Sequence, residues 1–210
     1  KRQAWYALSA QHSSHDPRLL SLTDYLQHAS TSDVQIDLDI PRTVRGHKSF
    51  HTRYGRGQCD LFGVLHAMSL MCAECGYCQG MGPLAAMLLM HMPASHALRV
   101  MRRMHDVYGF HELFRPGFPG LRAEFYVLSQ LLDALVPRMA QALAQAGLAP
   151  SAYATRWLLT VFHDALPHAT QLRIWDIFMA CGRDALLVVA VGLLRACLLY
   201  TSPSPRDLST

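Results

Sequence analysis

Lysine is nearly absent from this sequence. Two residues, Lys1 and Lys48, stand against seventeen arginines, the total of 19 basic residues less two. Charge is sparse altogether: 16% of residues are Asp, Glu, Lys or Arg, below the roughly 25% of ordinary globular chains. The net charge is +4 and the arginines are scattered, with no block of five or six. That distribution argues against a nucleic-acid binder, which would present a denser basic stripe. Long apolar runs are missing too. Ala185–Leu194 reaches ten residues before Arg195 interrupts it, half of what a bilayer span needs, so it reads as a core helix and no integral membrane segment is expected. A Walker loop, a G-x-G-x-x-G turn and a Ser/His/Asp spacing are all lacking, which removes the usual signs of a nucleotide-binding or hydrolytic centre. A secretory leader is lacking as well, since the chain opens Lys1-Arg2-Gln3 without an apolar run. With no initiator Met, the sequence reads as a fragment. Its six cysteines are then expected to be free thiols in a reducing compartment, and the location cytoplasmic.

Strand-like alternation is scarce, whereas helical periodicity runs through most of the chain. The spacing predicts helices over 2–10, 17–29, 58–75, 83–91, 94–108, 121–146, 151–163, 169–181 and 184–199. Pro137 falls inside 121–146 and is expected to split or kink that helix. The fold class is therefore all-α, one multi-helix domain over 1–197. Ser30–Gly57, with Pro41, Gly46, Gly55 and Gly57, reads as a long loop, functional or disordered. The Ser/Pro-rich end, 198–210, reads as a tail outside the fold, with the look of translated adapter sequence.

Three cysteines, Cys72, Cys75 and Cys78, fall at the spacing of an iron–sulfur run, but Gly82 occupies the fourth ligand position before Pro83. Leu61, Leu65, Met68, Cys72 and Cys75 step by four, three, four and three, one continuous helical stripe. Cys72 and Cys75 thus read as packing residues on the helix 58–75. A site joining them to His47 and His51 would reverse the usual order of zinc ligands. No metal ligand set is expected.

Two loops carry more information. Tyr77-Cys78-Gln79-Gly80-Met81 lies between a helix that Gly76 ends and one that Pro83 begins. Gly80 and Gly82 permit close backbone paths, and Gln79 offers both an acceptor and a donor, suited to orienting a water molecule. In Ile36-Asp37-Leu38-Asp39-Ile40-Pro41-Arg42, Pro41 stiffens the chain before Arg42, and Asp39 sits three residues back, in reach of the guanidinium. Taken singly, the first also fits an ordinary polar turn and the second a surface salt bridge.

In order along one chain, however, I-x-x-D-x-x-R (Ile36, Asp39, Arg42) followed by Y-x-Q (Tyr77, Gln79) resembles the two-motif signature of the TBC domain, the Rab GTPase-activating family. "IDLDIPRT", "GYCQGM", "RWLLTVFHDALP" and "LRIWDIFMACG" are similar to TBC segments, and the resemblance extends from about residue 2 to 197. The family's last helices are expected to be missing or replaced by the tail. Gly82 stands where the family commonly has Asn, and a tryptophan common near the helix after "MP" is missing.

The resemblance implies a protein that supplies two side chains in trans to a GTP-loaded Rab-type small GTPase, in vesicle trafficking. Arg42 would be the arginine finger and Gln79 the glutamine finger, with Asp39, Tyr77, Ile36 and Gly80 supporting them. No cofactor of its own is implied, because GTP and Mg²⁺ belong to the partner. It implies an activator of another protein's chemistry, peripheral to endomembranes through that partner. Two other readings use part of the same residues: a catalytically silent TBC scaffold that binds a Rab, and a helical metal-binding module using Cys72, Cys75 and Cys78.

Overall fold

A computed structural model describes residues 2–10 and 21–201. The described residues form helices and no strand, in the order α1 (Arg2–Ala10), α2 (Leu22–Tyr25), α3 (Asp33–Asp39), a 3₁₀ turn (Ile40–Arg42), α4 (Arg56–Met71), α5 (Met81–Leu89), α6 (Ala94–Asp106) and α7 (Phe110–Phe114). There follow α8 (Pro119–Leu135), α9 (Pro137–Gln145), α10 (Pro150–Tyr153), α11 (Thr155–Thr160), α12 (His168–Cys181) and α13 (Asp184–Thr201). No helix among the described residues is long and apolar enough to cross a membrane. Part of the expected helix over 17–29, and residues 202–210 of the expected tail, lie outside the described residues.

Helix α5 is the centre. Its sequence MGPLAAMLL is apolar all round, and seven of its residues, from Met81 to Leu88, are buried, as a helix covered on every side requires. It packs on α4, α6 and α11. The amphipathic α6 buries Ala97, Leu98, Val100, Met101 and Met104 on one face. Trp5 pins α1 to the far side. Its ring lies 5.4 Å from that of Trp175 and its Nε1 donates to Asp176 Oδ1 at 2.9 Å, both on α12.

Several boundaries depart from the expectations. Pro137 does divide the helix over 121–146. Val136, the residue before it, adopts φ −140° and ψ 56°, because the proline ring bars that residue from the helical region. The 151–163 helix is also two pieces, α10 and α11, the second stopped by Val161 in a left-handed conformation (φ 51°). The supposed loop from Ser30 to Gly57 is helical at its start. Ile36 and Ile40, four apart and buried, anchor α3 and the turn after it, and Pro41 is tolerated because it sits in the first turn of the 3₁₀ segment. Finally, α4 stops at Met71 rather than at residue 75. Cys72 is extended (φ −131°, ψ 102°), so Cys72 and Cys75 do not continue the packing stripe of that helix. They lie in the turn that leads to α5.

Candidate functional site

The two motifs meet at one carboxylate. Asp39, whose side chain is 2% exposed, accepts from Arg42 Nη2 at 2.5 Å through Oδ1 and from Tyr77 Oη at 3.1 Å through Oδ2. Burial and the neighbouring Asp39 carboxylate both push the Tyr77 phenol up, so it remains a neutral donor throughout the physiological range. The Arg42 bond uses one amino group of the guanidinium, and the side chain stays 68% exposed. Asp39 therefore aims an arginine outward while tying the loop that carries Gln79 to the same spot. Tyr77→Phe is expected to leave Oδ2 of a buried carboxylate short of a donor, lowering unfolding free energy by about 1–3 kcal/mol. Urea titration checks this, and an unchanged midpoint would show the bond contributes nothing.

Buried side chains hold α3 in place. His66 of α4 is buried, with Nδ1 2.6 Å from Asp33 Oδ1 and Nε2 3.0 Å from the Tyr25 carbonyl oxygen. Ser30 and Ser69 share a 2.7 Å hydroxyl contact beside it. Ile36, fully buried, fills the core beneath. Thr43 closes the turn by donating its backbone N–H and its hydroxyl to the Asp39 carbonyl, at 3.1 and 3.0 Å.

On the other side, Gln79 is exposed in a tight turn in which Met81 N donates to Cys78 O at 2.8 Å and Gly82 N to Gln79 O at 3.2 Å. Gly80 has ordinary helical angles (φ −61°, ψ −20°), so it is not needed for an unusual backbone path. Gly82 matters for space. A Cβ there would stand 3.2 Å from Thr43 Oγ1 and 3.4 Å from Thr43 Cγ2. The missing side chain thus lets the start of α5 press against the residue that follows Arg42.

Arg42 and Gln79 open into the same cleft, a cavity of about 710 Å³ whose lining includes Tyr77, Gly80, Phe114, Arg156 and Asp164. Arg156 and Asp164 were not singled out by motif reasoning. They stand 3.4 Å apart across the mouth, Arg156 67% exposed. The segment "RWLLTVFHDALP" was the signal that could have found them. Its turn is strained: Val161, Phe162 and Asp164 have φ of 51°, 58° and 56°, and Val44 and Phe118 on the cleft wall have φ 52°. Left-handed backbone in valine and phenylalanine costs about 1–3 kcal/mol each and gathers at functional sites. A second cavity of about 520 Å³ adjoins at Arg42 and adds Arg45 to the basic side. With Asp39 and Asp164 already paired, the face around Arg42 carries exposed guanidinium groups suited to an anion.

The described residues fold into helices alone, with an aspartate-held arginine and a glutamine turn sharing one cleft. A family model described as the Rab-GTPase-TBC domain matches residues 2–199, and the chain belongs to that family. A TBC domain-containing protein of Schizosaccharomyces pombe is 45% identical over 150 residues, covering 71% of this chain and 36% of that protein. The Rab GTPase-activating protein tbc-11 of Caenorhabditis elegans is 33% identical over 170 residues, covering 81% of this chain and 18% of that protein. The chain thus spans about a third or less of the length of these relatives. Among solved structures, the Chlamydomonas flagellar RabGAP TBC domain is similar in fold, with TM-score 0.74 at 21% identity over 93% of this chain and 64% of that one.

Proposed function

We propose that this chain accelerates GTP hydrolysis by a Rab-type small GTPase, supplying Arg42 and Gln79 in trans. The carrying observation is the Asp39 carboxylate, which bonds Arg42 and Tyr77 at once and so couples the two loops at one cleft. Phosphoryl transfer leaves a protein little covalent work, and rate comes from positioning and charge stabilisation. In this reading Arg42 enters the partner's nucleotide site and neutralises charge that grows between the β- and γ-phosphates. The Gln79 amide accepts from and donates to the attacking water, holding it in line. GTP and Mg²⁺ are the partner's. Arg45 raises the potential around the finger and favours approach of a phosphate-bearing face.

The bridge itself can be tested by phosphate release from GTP-loaded Rabs. Asp39→Asn keeps the shape but replaces the charged acceptor by a neutral one and turns an amide N–H₂ toward either Arg42 or Tyr77. The stimulated rate is expected to fall about 10–100-fold, as for loss of a charge-assisted bond of about 1.5–3 kcal/mol. An unchanged rate would remove the carboxylate bridge from the mechanism.

A further inference from the structure

The end of α4 before Met71 has a consequence beyond the cleft. It releases Cys72 and Cys75 from the helix and turns both sulfurs toward two histidines that are distant in sequence. His105 closes α6 and His111 lies in α7, on either side of the turn at Gly109. One ligand atom from each of Cys72, Cys75, His105 and His111 lies within 4.8 Å of every other. We infer that these four residues form a tetrahedral zinc site that staples the base of the Gln79 loop to the corner between α6 and α7.

The distances favour a single ion. Zinc bonds of about 2.3 Å to sulfur and 2.0–2.1 Å to nitrogen, at tetrahedral angles, require ligand atoms about 3.6 Å apart for S···N and about 3.4 Å for N···N. Cys72 Sγ is 3.6 Å from His111 Nδ1, and Cys75 Sγ is 3.5 Å from His105 Nε2 and 3.3 Å from His111 Nδ1. The two ring nitrogens, His105 Nε2 and His111 Nδ1, are 3.2 Å apart. Two soft sulfurs and two imidazoles in this shape suit zinc. A two-iron cluster with cysteines on one iron and histidines on the other would instead hold the sulfur pair apart from the nitrogen pair.

The surroundings assign the protons in the same sense. His105 Nδ1 lies 2.7 Å from Asp106 Oδ1, and His111 Nε2 lies 3.3 Å from Glu74 Oε2. In the tautomer in which each ring gives its N–H to that carboxylate, both inner nitrogens turn their lone pairs toward one another. A cation between them resolves that conflict, and the carboxylate–histidine arrangement is the one that orients zinc ligands elsewhere. The cysteine turn fits as well. Cys75 N–H points at Cys72 Sγ at 3.4 Å, Gly76 N donates to Cys72 O at 2.9 Å, and Gly76 takes φ +54°, a conformation that favours glycine. Cys75 and His105 are buried, at 8% and 7% exposure, while Cys72 and His111 are half-buried, and four protein ligands would leave no open position, as in structural zinc sites.

The quartet adjoins the cleft that Arg42 and Gln79 share, and Cys75 is part of its wall. Cys75 is two residues before Tyr77 and four before Gln79, and Phe114 of α7 lines the same cleft. A metal here would fix one end of the glutamine turn while Asp39 fixes the other. That consequence for Gln79 rests on the activating reading above; the zinc site does not.

The test is metal content of the purified, reduced chain by plasma mass spectrometry after gel filtration. The expected value is about one zinc per chain, falling at least tenfold in Cys75→Ser and His111→Ala and unchanged in Cys78→Ser, whose sulfur is outside the quartet. Should the ligand variants not fold, the parent protein decides the matter. Exchange of its metal for Co²⁺ should give the intense visible bands of a tetrahedral thiolate site, and chelation should lower its melting temperature by several degrees. A folded parent that takes up no zinc after reduction and incubation with it would overturn the assignment. So would zinc retained in both ligand variants, a Cys72–Cys75 disulfide that persists in reductant, or iron in place of zinc. None of these readouts depends on GTP hydrolysis, so failure of the zinc site and failure of the activating reading are told apart.

Discussion

Arg42→Ala is expected to abolish stimulated GTP hydrolysis. An arginine finger contributes about 10³–10⁵ in rate, equal to about 4–7 kcal/mol of transition-state stabilisation at 1.36 kcal/mol per decade. The side chain is mostly exposed, so little of that energy is spent on packing. Its one anchor is the buried Asp39 carboxylate, which the alanine variant leaves with the Tyr77 hydroxyl. Some loss of stability should therefore accompany the loss of activity in Arg42→Ala. Arg42→Lys separates the two effects. An ammonium can still pair with Asp39 and keep the fold, but it cannot offer a planar fork to two phosphate oxygens. Stimulated hydrolysis should remain lost in Arg42→Lys while the urea midpoint returns toward that of the parent. An active, stable lysine variant would reduce Arg42 to a point charge and contradict its role as a bidentate finger.

The second large effect belongs to Gln79. Its side chain is exposed and the turn that holds it is made by backbone bonds, Met81 N to Cys78 O and Gly82 N to Gln79 O. Removing the amide therefore leaves the turn standing. Gln79→Ala should lose about 10²-fold in stimulated rate, the scale of deleting one preorganised hydrogen-bonding group at a reacting centre, with the melting temperature essentially unchanged. The loss should be smaller on a GTPase able to insert its own glutamine. A Gln79→Ala variant that equals the parent on every Rab tested would take the second finger out of the account.

What could be read in the sequence was local or lay in the order of motifs. The helical class followed from periodicity, the break at Pro137 from its ring, and the pairing of Asp39 with Arg42 from a three-residue spacing. The contact between Asp39 and Tyr77 was different. Those residues are 38 apart, and only the resemblance to TBC domains put their motifs together; no spacing rule links them. Elements were missed where a few buried residues overrode composition. The α3 helix sits in a stretch rich in Pro, Gly and Ser downstream, yet Ile36 and Ile40 sink into the core and His66 binds its first turn. Phe110 and Leu113 likewise make α7 a short buried helix that a five-residue window does not announce.

The cysteines show the limit most clearly. Continued on paper, the stripe from Leu61 through Cys72 to Cys75 is a regular helical face, and it hides the fact that the helix stops at Met71. His105, in the last turn of α6, and His111, in α7, are separated from the cysteines by α5 and most of α6, and nothing in the residue types signals that these helices return them to the same point. Arg156 and Asp164 escaped for a related reason. Their meeting depends on a turn with three strained positions, Val161, Phe162 and Asp164, a conformation that propensities disfavour and that tertiary packing imposes.

The central claim is that one arginine and one glutamine leave this chain to complete another protein's nucleotide site. It is tested most directly by single-turnover phosphate release from a panel of GTP-loaded Rabs, comparing the parent chain with Arg42→Lys at matched folding. Acceleration on at least one Rab, lost by about 10³-fold or more in the lysine variant, is the result the account predicts. Equal acceleration by both proteins would contradict the role of Arg42, and none by a demonstrably folded parent that still binds a Rab would leave a scaffold in its place.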